Sequence, residues 1–182
     1  MRGSLHVTFP TEVTPGASLA LLIEDHAMAK KTAIQKLHVD KQTHVVSPIP
    51  EGFPGAGHAH SMVVSTPLEV DGIMRRVPEG QVTTLDEVRT FLARTYDADT
   101  ACPLSTGIFI NIAAAAAEEM RAHGEAGTTP YWRTLKSGGR LNERYPGGVE
   151  AQKALLEAEG FTVVTRKGVY VVQDYEQALC KL

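Results

Sequence analysis

Two helix-start signatures constrain this chain more than any other feature. Thr66-Pro67-Leu68-Glu69 and Thr84-Leu85-Asp86-Glu87 each set a threonine three residues ahead of a glutamate, the pattern of a capping box. Pro67 falls at the first helical position, where its missing N–H costs nothing. Behind the second box, Leu85, Val88, Phe91, Leu92 and Tyr96 mark one helical face, and Asp86 and Glu87 sit where the helix dipole favours acids. The spacing predicts a helix from Pro67 to about Arg76, a turn over Val77–Gln81, and a helix from Leu85 to about Tyr96. A connector over Asp97–Cys102 leads to a third helix from Pro103 to about His123, with Gly124 as its stop. Five consecutive alanines, Ala113–Ala117, give that helix high propensity and no bulk, so it can approach a neighbour or a nucleic-acid backbone closely.

The rest reads as short strands and turns. His44–Val46 and Met62–Ser65 are β-type runs. Between them Pro48–Gly57 is too rich in proline and glycine for regular structure. After Thr128-Thr129-Pro130 the chain is expected to turn β-like through Trp132–Leu135, with a flexible turn at Lys136–Arg140 and another at Tyr145–Gly148. A fourth helix is predicted from Val149 to Glu159, burying Ala151, Leu155 and Leu156 and stopping at Gly160. Phe161–Thr165 and Val169–Val172 should form a hairpin around Lys167-Gly168, and Tyr175–Leu182 a closing helix. Residues 1–26 form a weakly specified arm, and Ala17–Ile23 is too short and lacks the basic flank of a signal peptide. The expected division is 1–65, an arm with a short β-containing extension, and 66–182, the principal domain.

Composition narrows the function classes. With 43% hydrophobic and 21% charged residues in 182, the chain has the balance of a globular domain. Its net charge of -3 argues against a broad electrostatic grip on nucleic acid, while leaving room for a local basic surface. Arg133, Lys136, Arg140 and Arg144 against the single acid Glu143 make such a strip. No apolar run spans a membrane, and a cytoplasmic location is expected. Cys102 and Cys180 lack any C-x-x-C spacing, so neither a zinc site nor a redox pair is signalled. His58 and His60, with His44 earlier, lack an acidic or cysteine partner, so neither a metal nor a cofactor is expected.

The element order suits an α/β (α+β) chain of winged helix-turn-helix type, with the third helix for recognition and the Gly-rich excursion as wing. Specific motifs then point further. Val77-Pro78-Glu79-Gly80-Gln81-Val82-Thr83-Thr84, Pro130-Tyr131-Trp132-Arg133, Gly147-Gly148 and Leu155-Leu156-Glu157-Ala158-Glu159-Gly160 follow in order. Over Val77–Gly160 the chain resembles the C-terminal domain of O6-alkylguanine-DNA alkyltransferases and alkyltransferase-like proteins. The resemblance implies minor-groove binding, flipping of an alkylated guanine and, in the enzymes, transfer to an activated cysteine thiolate.

The chemistry does not carry over residue by residue. The cysteine position is Tyr131, whose phenol stays protonated near neutral pH. The histidine position is Trp132, which only donates. Glu159 matches the family's glutamate but is expected to have no partner left to polarise. The family's phosphate-rotating tyrosine falls at Thr84, and Ser105–Phe109 lacks the arginine that the family inserts from its recognition helix. The resemblance therefore implies a non-catalytic binder of double-stranded DNA, alkylated or distorted, that hands damage to other repair proteins. Thr83, Thr84, Thr106, Arg133, Lys136, Arg140 and Arg144 are its expected DNA contacts, and Tyr131, Trp132 and Tyr145 hold its base-pocket positions, where Tyr131 and Trp132 are expected either to fill the old pocket and stabilise the fold or to stack on a base or an alkyl group. The alternatives are a protein–protein adaptor that kept only the scaffold, or a nonspecific DNA binder.

Overall fold

The structure, a computed structural model, describes residues 30–54 and 57–182. The chain divides into two compact units, Met1–Lys31 and Thr32–Leu182, and every described helix and strand belongs to the second. The expected arm over residues 1–26, with Ala17–Ile23, lies outside the described residues.

Helices α1 (Ala33–Leu37), α2 (Pro67–Met74), α3 (Leu85–Thr95), α4 (Pro103–Ala122) and α5 (Gly148–Ala158) alternate with short strands. The strands are β1 (His44–Val46), β2 (Met62–Val64), β3 (Thr83–Thr84), β4 (Thr100–Ala101), β5 (Thr134–Leu135), β6 (Val163–Arg166) and β7 (Val169–Val172). The fold is mixed α/β. The threonine half of each predicted capping box forms: Thr66 Oγ1 accepts from the Glu69 N–H and Thr84 Oγ1 from the Glu87 N–H, each at 3.2 Å, while the Glu69 carboxylate accepts from Tyr96 Oη instead of the Thr66 N–H. The alanine run of α4 packs inward. Ala113, Ala114, Ala116 and Ala117 are buried, and α1 and α2 lie against this helix.

Two apolar clusters result. The larger joins Leu37, Val63, Val70, Met74, Val88, Leu92 and Ile110 to the α4 alanines and to Tyr131 and Tyr145. The smaller holds Val82, Leu135, Leu141, Leu156 and Val172. Trp132 packs against both, so it bridges the helical half and the β-rich half.

Four differences from the expected architecture have physical causes. Helix α1, unpredicted, is held by a capping box in which Thr32 and Gln35 bond reciprocally. Residues 32–65 belong to the same unit as the rest: β1-β2-β4 is one sheet, with β2 parallel to β4 from the expected connector. The boundary expected at 65/66 therefore runs through a single unit. Trp132 and Arg133 lie in a 3-10 turn, Tyr131–Arg133, and only Thr134-Leu135 is strand. The closing helix is a 3-10 turn, Tyr175–Ala178, after which the chain pairs with Val82: the Cys180 N–H donates to the Val82 carbonyl at 2.8 Å.

Candidate functional site

The 3-10 turn Tyr131–Arg133 is fixed from both sides. Upstream, the buried Asp71 of α2 accepts from Thr129 Oγ1 at 2.5 Å and from Arg75 Nε at 2.7 Å. Arg75 in turn donates to the Gly127 carbonyl at 3.0 Å. Downstream, the buried Gln152 of α5 donates to the Trp132 carbonyl at 3.0 Å and accepts from the Asn142 N–H at 2.7 Å. One side chain thus ties the turn to the loop that carries the basic strip.

Glu159, at the C-terminal end of α5, is the group that organises the turn. Its carboxylate accepts from Trp132 Nε1 at 2.7 Å and from Arg133 Nε and Nη2 at 2.8–3.0 Å. Arg133 also donates to the Val77 carbonyl at 2.9 Å. The pair is nearly enclosed, with side-chain exposures of 13% for Arg133 and 10% for Glu159. Glu159 thus holds an indole and a guanidinium, neither of which is a base it could polarise.

Tyr131 and Tyr145 are 2% and 3% exposed. Their rings meet edge to face with centroids 5.2 Å apart, and Trp132 meets Tyr131 at 5.5 Å. Tyr131 donates to Glu118 Oε2 at 3.1 Å and Tyr145 to the Thr134 carbonyl at 3.1 Å. Arg121 lies over the Trp132 ring at 5.3 Å. The three aromatics expected to line a base pocket are packed against one another, and two of them are interior. Burial, with the neighbouring Glu118 charge adding to it, pushes the Tyr131 phenol up to about 12. Burial also raises the Tyr145 phenol. Neither is a phenolate at neutral pH.

The expected DNA contacts divide into two sets. Thr83, Thr84 and Thr106 are buried: Thr83 pairs with Thr134 in β3-β5, Thr84 caps α3, and Thr106 Oγ1 donates to the Cys102 carbonyl at 2.7 Å. Arg133 is committed to Glu159. The surface set is Lys136, Arg140 and Arg144. Lys136 Nζ reaches both oxygens of Glu143 at 2.9 and 3.0 Å, and this contact holds the Glu143 carboxyl below its ordinary value. Arg140 and Arg144 are exposed.

The strip is not a free loop. Lys136 and Arg140 bridge across the turn Ser137–Gly139, and the Leu141 N–H donates to the Tyr170 carbonyl of β7 at 3.0 Å. Gly139 has φ 71° and its missing Cβ would strike the Tyr175 ring, so the turn is packed under that ring rather than flexible. At its far end the strip is held to α4. Asn142 Nδ2 donates to Asn111 Oδ1 at 2.9 Å, while Asn142 Oδ1 accepts from the Arg144 N–H at 3.1 Å. The outer side of α4 and the strip consequently share a groove of about 350 Å³, lined by Leu104, Gly107, Ile108, Asn111, Lys136 and Arg144 among others.

Asn111, Asn142 and Gln152 were missed by sequence reasoning. Asn111 carried a usable signal, since asparagine inside an apolar helix competes with the backbone and needs a partner. Cys102 is buried at the α4 N-cap, and Cys180 is a free thiol like it. His58 and His60 are exposed, and among the described residues no three His, Cys, Asp or Glu side chains are placed to hold a metal. No described helix is long and apolar enough to cross a membrane.

No family model and no curated protein matches the chain. Two solved structures are similar to it. S. pombe Atl1 in complex with damaged DNA containing O6-carboxymethylguanine shares 20% identity, with 64% of this chain and 94% of that chain covered and a TM-score of 0.44. S. pombe ATL in complex with DNA shares 19% identity over the same fractions, with a TM-score of 0.45.

Proposed function

We propose that this protein binds double-stranded DNA without transferring an alkyl group, as a recognition protein of the alkyltransferase-like kind. The observation that carries the reading is the shared groove. Residues of α4 and residues of the basic strip, far apart in sequence, line one surface there. A helix beside exposed arginines is a general way of engaging a duplex backbone. The absence of transfer follows from the motif positions. Tyr131 is a buried, protonated phenol, and Trp132 Nε1 is spent on Glu159. The glutamate that would polarise a histidine instead anchors an indole and a guanidinium.

Recognition of alkylated or distorted DNA, and transfer of the damage to other repair proteins, belong to the same reading and rest on the motif order of Val77–Gly160. Titration of duplexes with and without a central O6-methylguanine tests the first part. The lesion duplex should bind more tightly, and equal affinity at every salt concentration would reduce the reading to nonspecific binding. Incubation with methyl-labelled DNA tests the absence of alkyl transfer. No label should stay on the protein, and stable retention would overturn the non-catalytic reading.

A further inference from the structure

The outer face of α4 carries two side chains that the packing of the fold does not account for. Leu104 is 54% exposed and Ile108 53% exposed. Scattered exposed aliphatics are ordinary, and Val45, Leu68 and Val169 are such cases on three separate elements. Leu104 and Ile108 differ because they stand at i and i+4 of one helix, so they lie on one face one above the other. Between them Gly107 has open space where a Cβ would be, which lets another backbone come close.

Their surroundings are cationic. Ile108 lies between two shallow grooves of about 350 Å³ each, and both are also lined by Asn111 and Arg144. One groove adds Lys136 and the other Lys36. The one acid lining either groove, Glu143, is bound to Lys136. An apolar ridge flanked by cations, on a chain of net charge -3, is complementary to a polyanion with an apolar interior. A helical peptide partner would call for a continuous apolar trough, whereas both grooves beside Ile108 are lined by basic side chains as well. Stacked base steps accept an apolar wedge, and leucine and isoleucine are among the side chains that proteins insert to unstack and kink a duplex.

We infer that Leu104 and Ile108 form an apolar wedge that enters the stack of a DNA duplex while Arg144 and Lys36 hold the flanking phosphates. The inference rests on the proposed DNA binding. It gives that reading a mechanism of distortion that uses neither an inserted arginine nor an open base pocket. Because both side chains are exposed, truncating them should leave the fold intact.

The test uses the full chain and a duplex with 2-aminopurine at its centre and a fluorescence-transfer pair at its ends. Wild-type protein should raise the 2-aminopurine emission and shorten the end-to-end distance. The double variant L104A/I108A should lose both signals and bind about tenfold more weakly or worse, with an unchanged circular dichroism spectrum. R144E should weaken binding in a salt-dependent way while the signals per bound complex persist. Wild-type binding without unstacking or bending, or full signals from L104A/I108A, would overturn the wedge and leave DNA binding standing. Failure of wild-type protein to bind any duplex at low salt would overturn the DNA reading itself and the wedge with it. Sedimentation of both proteins completes the test. A wild-type dimer that the double variant dissolves, with duplex binding unaltered, would assign the ridge to a second copy of this chain and overturn the wedge.

Discussion

At the scale of single residues, the position that matters most is Glu159, because three donors from two side chains converge on it. The sequence placed it in a recognisable Leu-Leu-x-x-Glu-Gly context, but its partners were hidden. An indole and a guanidinium adjacent in sequence both turn to the same carboxylate only because the chain takes a 3-10 turn there. Removing one member of a nearly enclosed ion pair leaves the other uncompensated, which typically costs about 3–5 kcal/mol. Glu159→Ala should therefore lower the unfolding free energy by at least about 3 kcal/mol in urea titration, and a loss under about 1 kcal/mol would deny the carboxylate this role. Tyr131 gives a second residue-scale prediction. Its phenol is raised in the folded state from 10.0 to about 12, so between those values the unfolded chain loses a proton that the folded one keeps. Stability is full below the unfolded value and falls as pH rises through the folded one. Denaturation midpoints should decline between pH 10 and about 12, and Tyr131→Phe should flatten part of that decline. Identical pH profiles for the two proteins would refute the assignment.

At the scale of elements, what the sequence made legible were features written locally. Hydroxyl–glutamate boxes fixed the starts of α2 and α3, apolar periodicity fixed the inner face of α3, and Lys167-Gly168 fixed the β6–β7 hairpin. The elements that escaped depend on distant partners. Strand β4 is two residues long and exists because β2 lies beside it in parallel. Helix α1 is five residues long, too short to stand alone in water, and it is stable because Leu37 is buried against α4 and α2. Leu37→Ala should cost about 2–5 kcal/mol, the usual range for a buried leucine, despite lying in a region that reads as an appendage. Unchanged thermal unfolding would mean that α1 is peripheral after all.

At the scale of the molecule, the fold brings together one aromatic and ionic cluster and one surface groove, and keeps them distinct. Tyr131, Trp132, Tyr145, Arg133 and Glu159 are occupied with one another. Arg140, Arg144 and the outer face of α4 are turned to solvent. The site predicted from motifs alone mixed these two sets, because a motif gives the order of residues and not their burial. Thr83, Thr84 and Thr106 are buried in this conformation. Gln152 and Asn142 explain how the two sets are nonetheless mechanically joined, since one amide links the Trp132 carbonyl to the loop that presents Arg144. The central claim is that this groove and the basic strip beside it bind duplex DNA largely through their cations, and its most direct test is the salt dependence of duplex affinity for wild-type protein and for R140E/R144E. The wild type should show a linear fall of log affinity with log salt, and the variant should bind more weakly at low salt with the slope reduced by about two. Superimposable curves for the two proteins, or no duplex binding by the wild type at low salt, would contradict it.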